Sequence, residues 1–137
     1  MNFKKSLFSF GIALLMITPS LCAETPARAA IVKERDTVLS KIVADVESRY
    51  SAGTTDDEAV WTAKLSLLSF RRDVATTAGE KLKQQEQIVA LQEKRLNAIK
   101  ERAKTGTSDS LAVLRAPDAL LAAKQMQAEL QPEGKKG

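Results

Sequence analysis

Apolar residues recur at three- and four-residue steps through most of the chain beyond residue 24, the spacing that lines one face of an α-helix. Ile31, Val38, Leu39, Ile42, Val43, Val46 and Tyr50 form the first series and predict helix A from about Ala27 to Tyr50. Pro26 suits a first-turn position, where a missing N–H costs nothing. Gly53 stands just past the end, where a left-handed residue stops a helix.

Thr54, Thr55 and Asp56 offer oxygen acceptors for the free N–H groups of a second helix, and Asp57 and Glu58 place negative charge where the macrodipole favours it. From there the apolar positions run without proline to Ala103, which predicts a helix B of about 50 residues and about 70 Å. Its first half carries a seam of Val60, Ala63, Leu67, Phe70 and Val74. Its second half continues through Ala78, Leu82, Gln85, Val89, Gln92, Leu96, Ile99 and Ala103. Between the halves the steps from Phe70 to Leu82 are all fours, a stutter that unwinds a coiled coil locally. Gly79 sits inside it and reads as a structural irregularity, since an isolated glycine mainly weakens a helix.

Gly106 followed by Thr107, Ser108 and Asp109 repeats the stop-and-start signal, and helix C then runs to about Gln131. Pro117 inside it is expected to kink it or split off a first turn, and Pro132 ends it. The fold class expected is all-α: two αα-hairpins sharing one long central helix, an extended coiled-coil-like rod. Helix A would cover the first half of helix B and helix C the second, the two short helices meeting near Gly79. Such a rod leaves apolar surface half covered and favours self-association or a helical partner.

The pattern differs before residue 24. Lys4 and Lys5 precede an apolar run from Leu7 to Ile17, Thr18-Pro19-Ser20 ends it, and no acid appears before Glu24. Eleven residues are too few to span a bilayer, which takes about 20. Residues 1–23 therefore read as a signal peptide cleaved after Ala23, residues 24–131 as the helical domain and 132–137 as a disordered tail. Lipidation at Cys22 is the alternative. It is disfavoured because Leu21 stands where such a site has a small residue. The expected location is periplasmic or secreted, with membrane contact only through the signal segment or a lipid on Cys22.

Composition narrows the chemistry. The chain has no His and one Cys, which cleavage would remove, so disulfides, the common triads and the zinc sites built from those residues cannot form in the mature part. Of 21 basic residues two precede the cleavage point, leaving 19 against 17 acidic ones and a net charge of about +2. Interleaved charges with few aromatics describe a solvated helix surface and argue against a nucleic-acid partner. The basic cluster Gly134-Lys135-Lys136-Gly137 reads as a frayed tail. Asp56, Asp57 and Glu58 could hold a hard cation, but capping already explains them at a helix start. Neither Gly53 nor Gly106 begins a phosphate loop. Trp61 reads as packing at a hairpin end, and Arg71 and Arg72 as a polar edge that pairs with acids. No catalytic, cofactor-binding or metal residue, no cofactor and no small-molecule substrate is assigned, and the chain is not expected to be an enzyme.

Shifting the chain by 53 residues aligns Val46 with Ile99, Arg49 with Arg102, Gly53 with Gly106, Asp56 with Asp109 and Val60 with Val113. Ala63, Leu67 and Leu68 then align with Ala116, Leu120 and Leu121. Periodicity alone matches apolar positions, but it does not demand the matched Arg, Gly and Asp. The repeating unit is a helix, a five-residue turn and a helix.

The pattern Arg49-Tyr50-Ser51-Ala52-Gly53, followed by Val60, Ala63, Leu67 and Leu68, resembles the helical repeat of TolC-like outer-membrane efflux proteins. The second copy, from Arg102 to Leu121, is more degenerate, with Ala103 and Lys104 in place of the aromatic motif. No alternating segment of barrel-strand length lies between the signal and Pro132. The resemblance therefore implies a soluble helical-hairpin protein of the same kind of repeat and not a whole export channel. The function expected is an interaction or scaffold module of the cell envelope that pairs with itself or with a helical envelope protein. The alternatives are an accessory of a TolC-like efflux or secretion system, or a periplasmic chaperone.

Overall fold

A computed structural model describes residues 25–131. It holds four helices, α1 (Pro26–Ser51), α2 (Asp57–Val74), α3 (Ala78–Lys104) and α4 (Ser110–Leu130), and no strand among the described residues. The expected signal segment with Cys22 and the expected tail 132–137 lie outside the described residues.

The helix ends follow local chemistry. Thr25 accepts from the Arg28 N–H and Pro26 takes the first-turn position of α1. Asp56 accepts from the Ala59 N–H at 2.9 Å at the head of α2, and Asp109 accepts from the Leu111 N–H at 3.3 Å at the head of α4. The two turns have the same geometry. In the first, the Thr54 N–H donates to the Arg49 carbonyl at 2.9 Å and Gly53 has φ +70°. In the second, the Thr107 N–H donates to the Arg102 carbonyl at 3.0 Å and Gly106 has φ +72°. Such six-to-one bonds across a left-handed glycine close a helix by satisfying its last carbonyls. A β-carbon at that φ would cost about 1 kcal/mol.

The expected single helix B is corrected to two helices separated at residues 75–77. Ala75 is extended (φ −61°, ψ 137°), and Thr77 caps α3 with its hydroxyl accepting from the Glu80 N–H while the Glu80 carboxylate accepts from the Thr77 N–H. This capping box satisfies two otherwise free donors, and it falls at the all-fours stutter, where the seam loses register. Gly79 lies inside the first turn of α3, beyond the break itself. The molecule is thus no 70 Å rod: α3 turns back along α2.

Cross-helix pairs give the directions. Lys64 meets Glu47 at 2.6 Å and Arg71 meets Asp36 at 2.7 Å, so α1 and α2 are antiparallel. Arg95 pairs with Glu58 near the start of α2 while Arg72 bonds Gln85 at 2.9 Å near its end, so α2 and α3 are antiparallel too. Gln85 near the start of α3 meets the Ala123 carbonyl near the end of α4 at 2.7 Å, and the short turn at 105–109 joins their other ends, so α3 and α4 are antiparallel as well. The helices pack along their neighbours in sequence, with α2 and α4 also meeting at Arg72 and Met126; α1 and α4 do not meet near Gly79.

The core lies along α3, which packs between α2 and α4. Ile88, Val89 and Ala123 are buried, with Leu65, Leu68 and Leu120 packed against them. Leu67, Phe70, Ile99 and Ala116 are buried beside this cluster, and α1 contributes no buried residue. Burying an isoleucine such as Ile88 stabilises the fold by about 1.5 to 3 kcal/mol. Pro117 neither splits α4 nor ends it. Ala116 and Ala123 are buried on either side of the missing ladder bond, and their packing holds the helix together across a defect that costs about 3 kcal/mol in isolation.

Candidate interaction surface

The charged residues singled out from sequence are occupied within the fold. Asp56 caps α2, Asp57 pairs with Arg102 and Glu58 pairs with Arg95. The acidic cluster is thus split between a cap and two bridges to α3. Trp61 is half-buried, and the Arg102 guanidinium lies 5.5 Å from its ring centroid. Arg72 bridges Asp73 at 2.7 Å and Gln85, and its Nη1 also approaches the Met126 sulfur. A cleft of about 320 Å³ where the start of α2, the end of α3 and the start of α4 come together carries Arg95, Arg102 and Arg115 against Asp56, Glu58 and Asp109, so its charges compensate. Among the described residues no group of three or more acids, His or Cys is placed to hold a metal, and no helix is long and apolar enough to cross a membrane.

Arg71 clamps α1 to α2. Its Nε donates to Asp36 Oδ1 at 2.7 Å, and its Nη2 donates to Asp36 Oδ2 at 3.0 Å and to Ser40 Oγ at 3.1 Å. The hydrogen bonds from Arg71 hold the Asp36 carboxyl below its usual range, with its charge and the Ser40 contact helping and partial burial opposing. A depressed carboxyl contributes stability above its unfolded pKa and loses it as the pH falls through the folded one. The pair is more than a third exposed, so solvent screening keeps its contribution below about 1 kcal/mol. Asp36→Asn should therefore cost up to that much at pH 7 in denaturant titrations, and the difference from wild type should shrink and disappear as the pH falls below the ordinary aspartate range.

What remains open is apolar surface on the two end helices. On α1, Val32, Leu39, Val43 and Val46 are half-buried toward α2. About a quarter-turn away lie Ile31, Val38 and Ile42, which are 65%, 49% and 46% exposed. On α4, Leu114 and Leu121 are 73% and 66% exposed, with Leu111 beside them. Scattered exposed leucines are ordinary, but aligned ones at heptad spacing mark a helix face that can take another helix.

Sequence reasoning passed over Gln85 and the Thr77–Glu80 box. The box was written in the Thr-x-x-Glu spacing. Gln85 gave no signal apart from its seam position among apolar neighbours.

No family model matches the sequence, and neither does any curated protein or any solved structure.

Proposed function

We propose that this chain is an exported, non-enzymatic helical protein that serves as an interaction or scaffold module in the cell envelope, pairing with itself or with another helical envelope protein. The observation that carries this reading is the pair of apolar stripes on the end helices, Ile31 with Val38 and Ile42 on α1 and Leu114 with Leu121 on α4. Burying either stripe needs a further helix, which none of the described helices supplies. Coiled-coil-like pairing uses that kind of seam.

The test is cross-linking in intact cells of the native host, followed by fractionation. The expected result is a cross-linked species in the envelope fraction that contains either two copies or one copy with a helical partner. A monomer that cross-links to nothing overturns the proposal. The matched turns at Gly53 and Gly106 support a second reading, an accessory of a TolC-like efflux or secretion system. Repeated capture of export components would favour it over the scaffold role.

A further inference from the structure

We propose that α1 pairs with α1 of a second copy, antiparallel, in the register that sets Ile31 against Ile42 of the second copy. This inference rests on the interaction reading above and specifies its self-pairing form. Ile31, Arg35, Val38, Ile42, Asp45 and Arg49 follow one another at steps of four and three, an unbroken heptad seam on the open side of α1. The register joins Ile31 to Ile42 at both ends and lays each Val38 along the stem of Arg35.

Charge fixes the direction and the register. The Arg35 guanidinium is already drawn off the seam to 4.7 Å from the Phe70 ring centroid, so its aliphatic stem is what it offers to a partner. On the flank of the seam, Glu34 and Lys41 form no ion pair within the described chain. In the antiparallel register Glu34 of one copy comes within about 3 Å along the axis of Lys41 of the other, and the contact occurs twice by symmetry. A parallel pair would turn Glu34 and Lys41 toward Leu39 and Val46 of the second copy and form neither ion pair.

The competing stripe on α4 lacks this fit. Asp118 stands between Leu114 and Leu121, so closing two α4 faces together would bury a carboxylate at the centre of the contact, whereas Asp45 on α1 lies beyond the Ile31–Ile42 stretch, where it stays solvated. The α1 contact is itself short, well under the roughly 1,600 Å² of a standard interface, which makes the expected dimer weak and concentration-dependent.

Sedimentation velocity at low ionic strength over a concentration series, on the chain as its host processes it, tests the inference. Wild type should shift from monomer to dimer. Glu34→Lys or Lys41→Glu alone should raise the midpoint by about tenfold or more, because each sets like charges together twice. The double reversal should restore it to within about twofold. Ile31→Glu should abolish the dimer, and circular dichroism should show helix content unchanged in every variant. A dimer that ignores the reversals, or that only Leu114→Glu with Leu121→Glu dissolves, overturns this inference and leaves self-pairing standing. A monomer at every concentration overturns self-pairing as well and leaves only the second-partner form, which cross-linking tests separately.

Discussion

Replacing Ile99 with alanine should lower the unfolding free energy by about 2 to 4 kcal/mol, whereas Ile31→Ala should change it by less than about 0.5 kcal/mol. Both residues lie on apolar helical stripes, so periodicity gives them equal weight. In the fold Ile99 is 3% exposed where the end of α3 meets its neighbours, and Ile31 is mostly in solvent on α1. Removing three carbons at Ile99 leaves a cavity that the α2 and α4 ends, pinned by the Arg95–Glu58 and Arg102–Asp57 bridges, collapse into poorly. Urea titration followed by circular dichroism measures both values. Equal losses at the two sites would mean that α1 is packed as deeply as α3, contrary to the geometry described.

The second large effect is expected at Gln85, the polar residue that is fully buried among the described residues, at 1% exposure. Its Nε2 donates to the Ala123 carbonyl at 2.7 Å and its Oε1 accepts from Arg72 Nη1 at 2.9 Å, so one amide ties α2, α3 and α4 together. Gln85→Leu keeps the volume but removes the acceptor from a partly desolvated guanidinium. A loss of about 1 to 3 kcal/mol follows, near the upper end because the donor is charged. Arg72→Met in the same background should recover part of that loss, since removing both partners leaves no unpaired donor; a double-mutant cycle measures it. No recovery would mean that Gln85 acts by shape alone. Two further amide oxygens on α3, Oε1 of Gln84 and of Gln92, are buried without a hydrogen-bond partner. The tie at Gln85 is therefore specific to the side chain that meets both neighbours.

The helical class and the ends of most helices were legible from residue types alone. Pro26, Gly53, Gly106 and Asp109 act locally, through a fixed φ, a left-handed φ or a side-chain oxygen, and local chemistry is what a sequence states directly. The bend at residues 75–77 was harder. Val74 and Ala78 continue the apolar steps straight across it, and only the Thr77–Glu80 spacing says that a new helix begins. Whether a chain continues or folds back there depends on what the return buries, namely Leu65 and Leu68 against Ile88 and Val89. That is a tertiary gain no local pattern contains. The candidate surface was less legible still. The stripe of α1 reads as one apolar face from Ile31 to Tyr50. Only its packing on α2 separates the half that is covered from the line of Ile31, Val38 and Ile42 that is not.

Packing that runs mainly between sequence neighbours also bears on how the chain reaches this state. Each helix docks on the one before it across a turn of a few residues, so the loops closed are short and their entropic cost is small. Folding times for such local topologies run from microseconds to milliseconds. Among the described residues most packing is between helices adjacent in sequence, so the fold can be assembled largely in order, one helix at a time, with the contact of Arg72 to Met126 closing last.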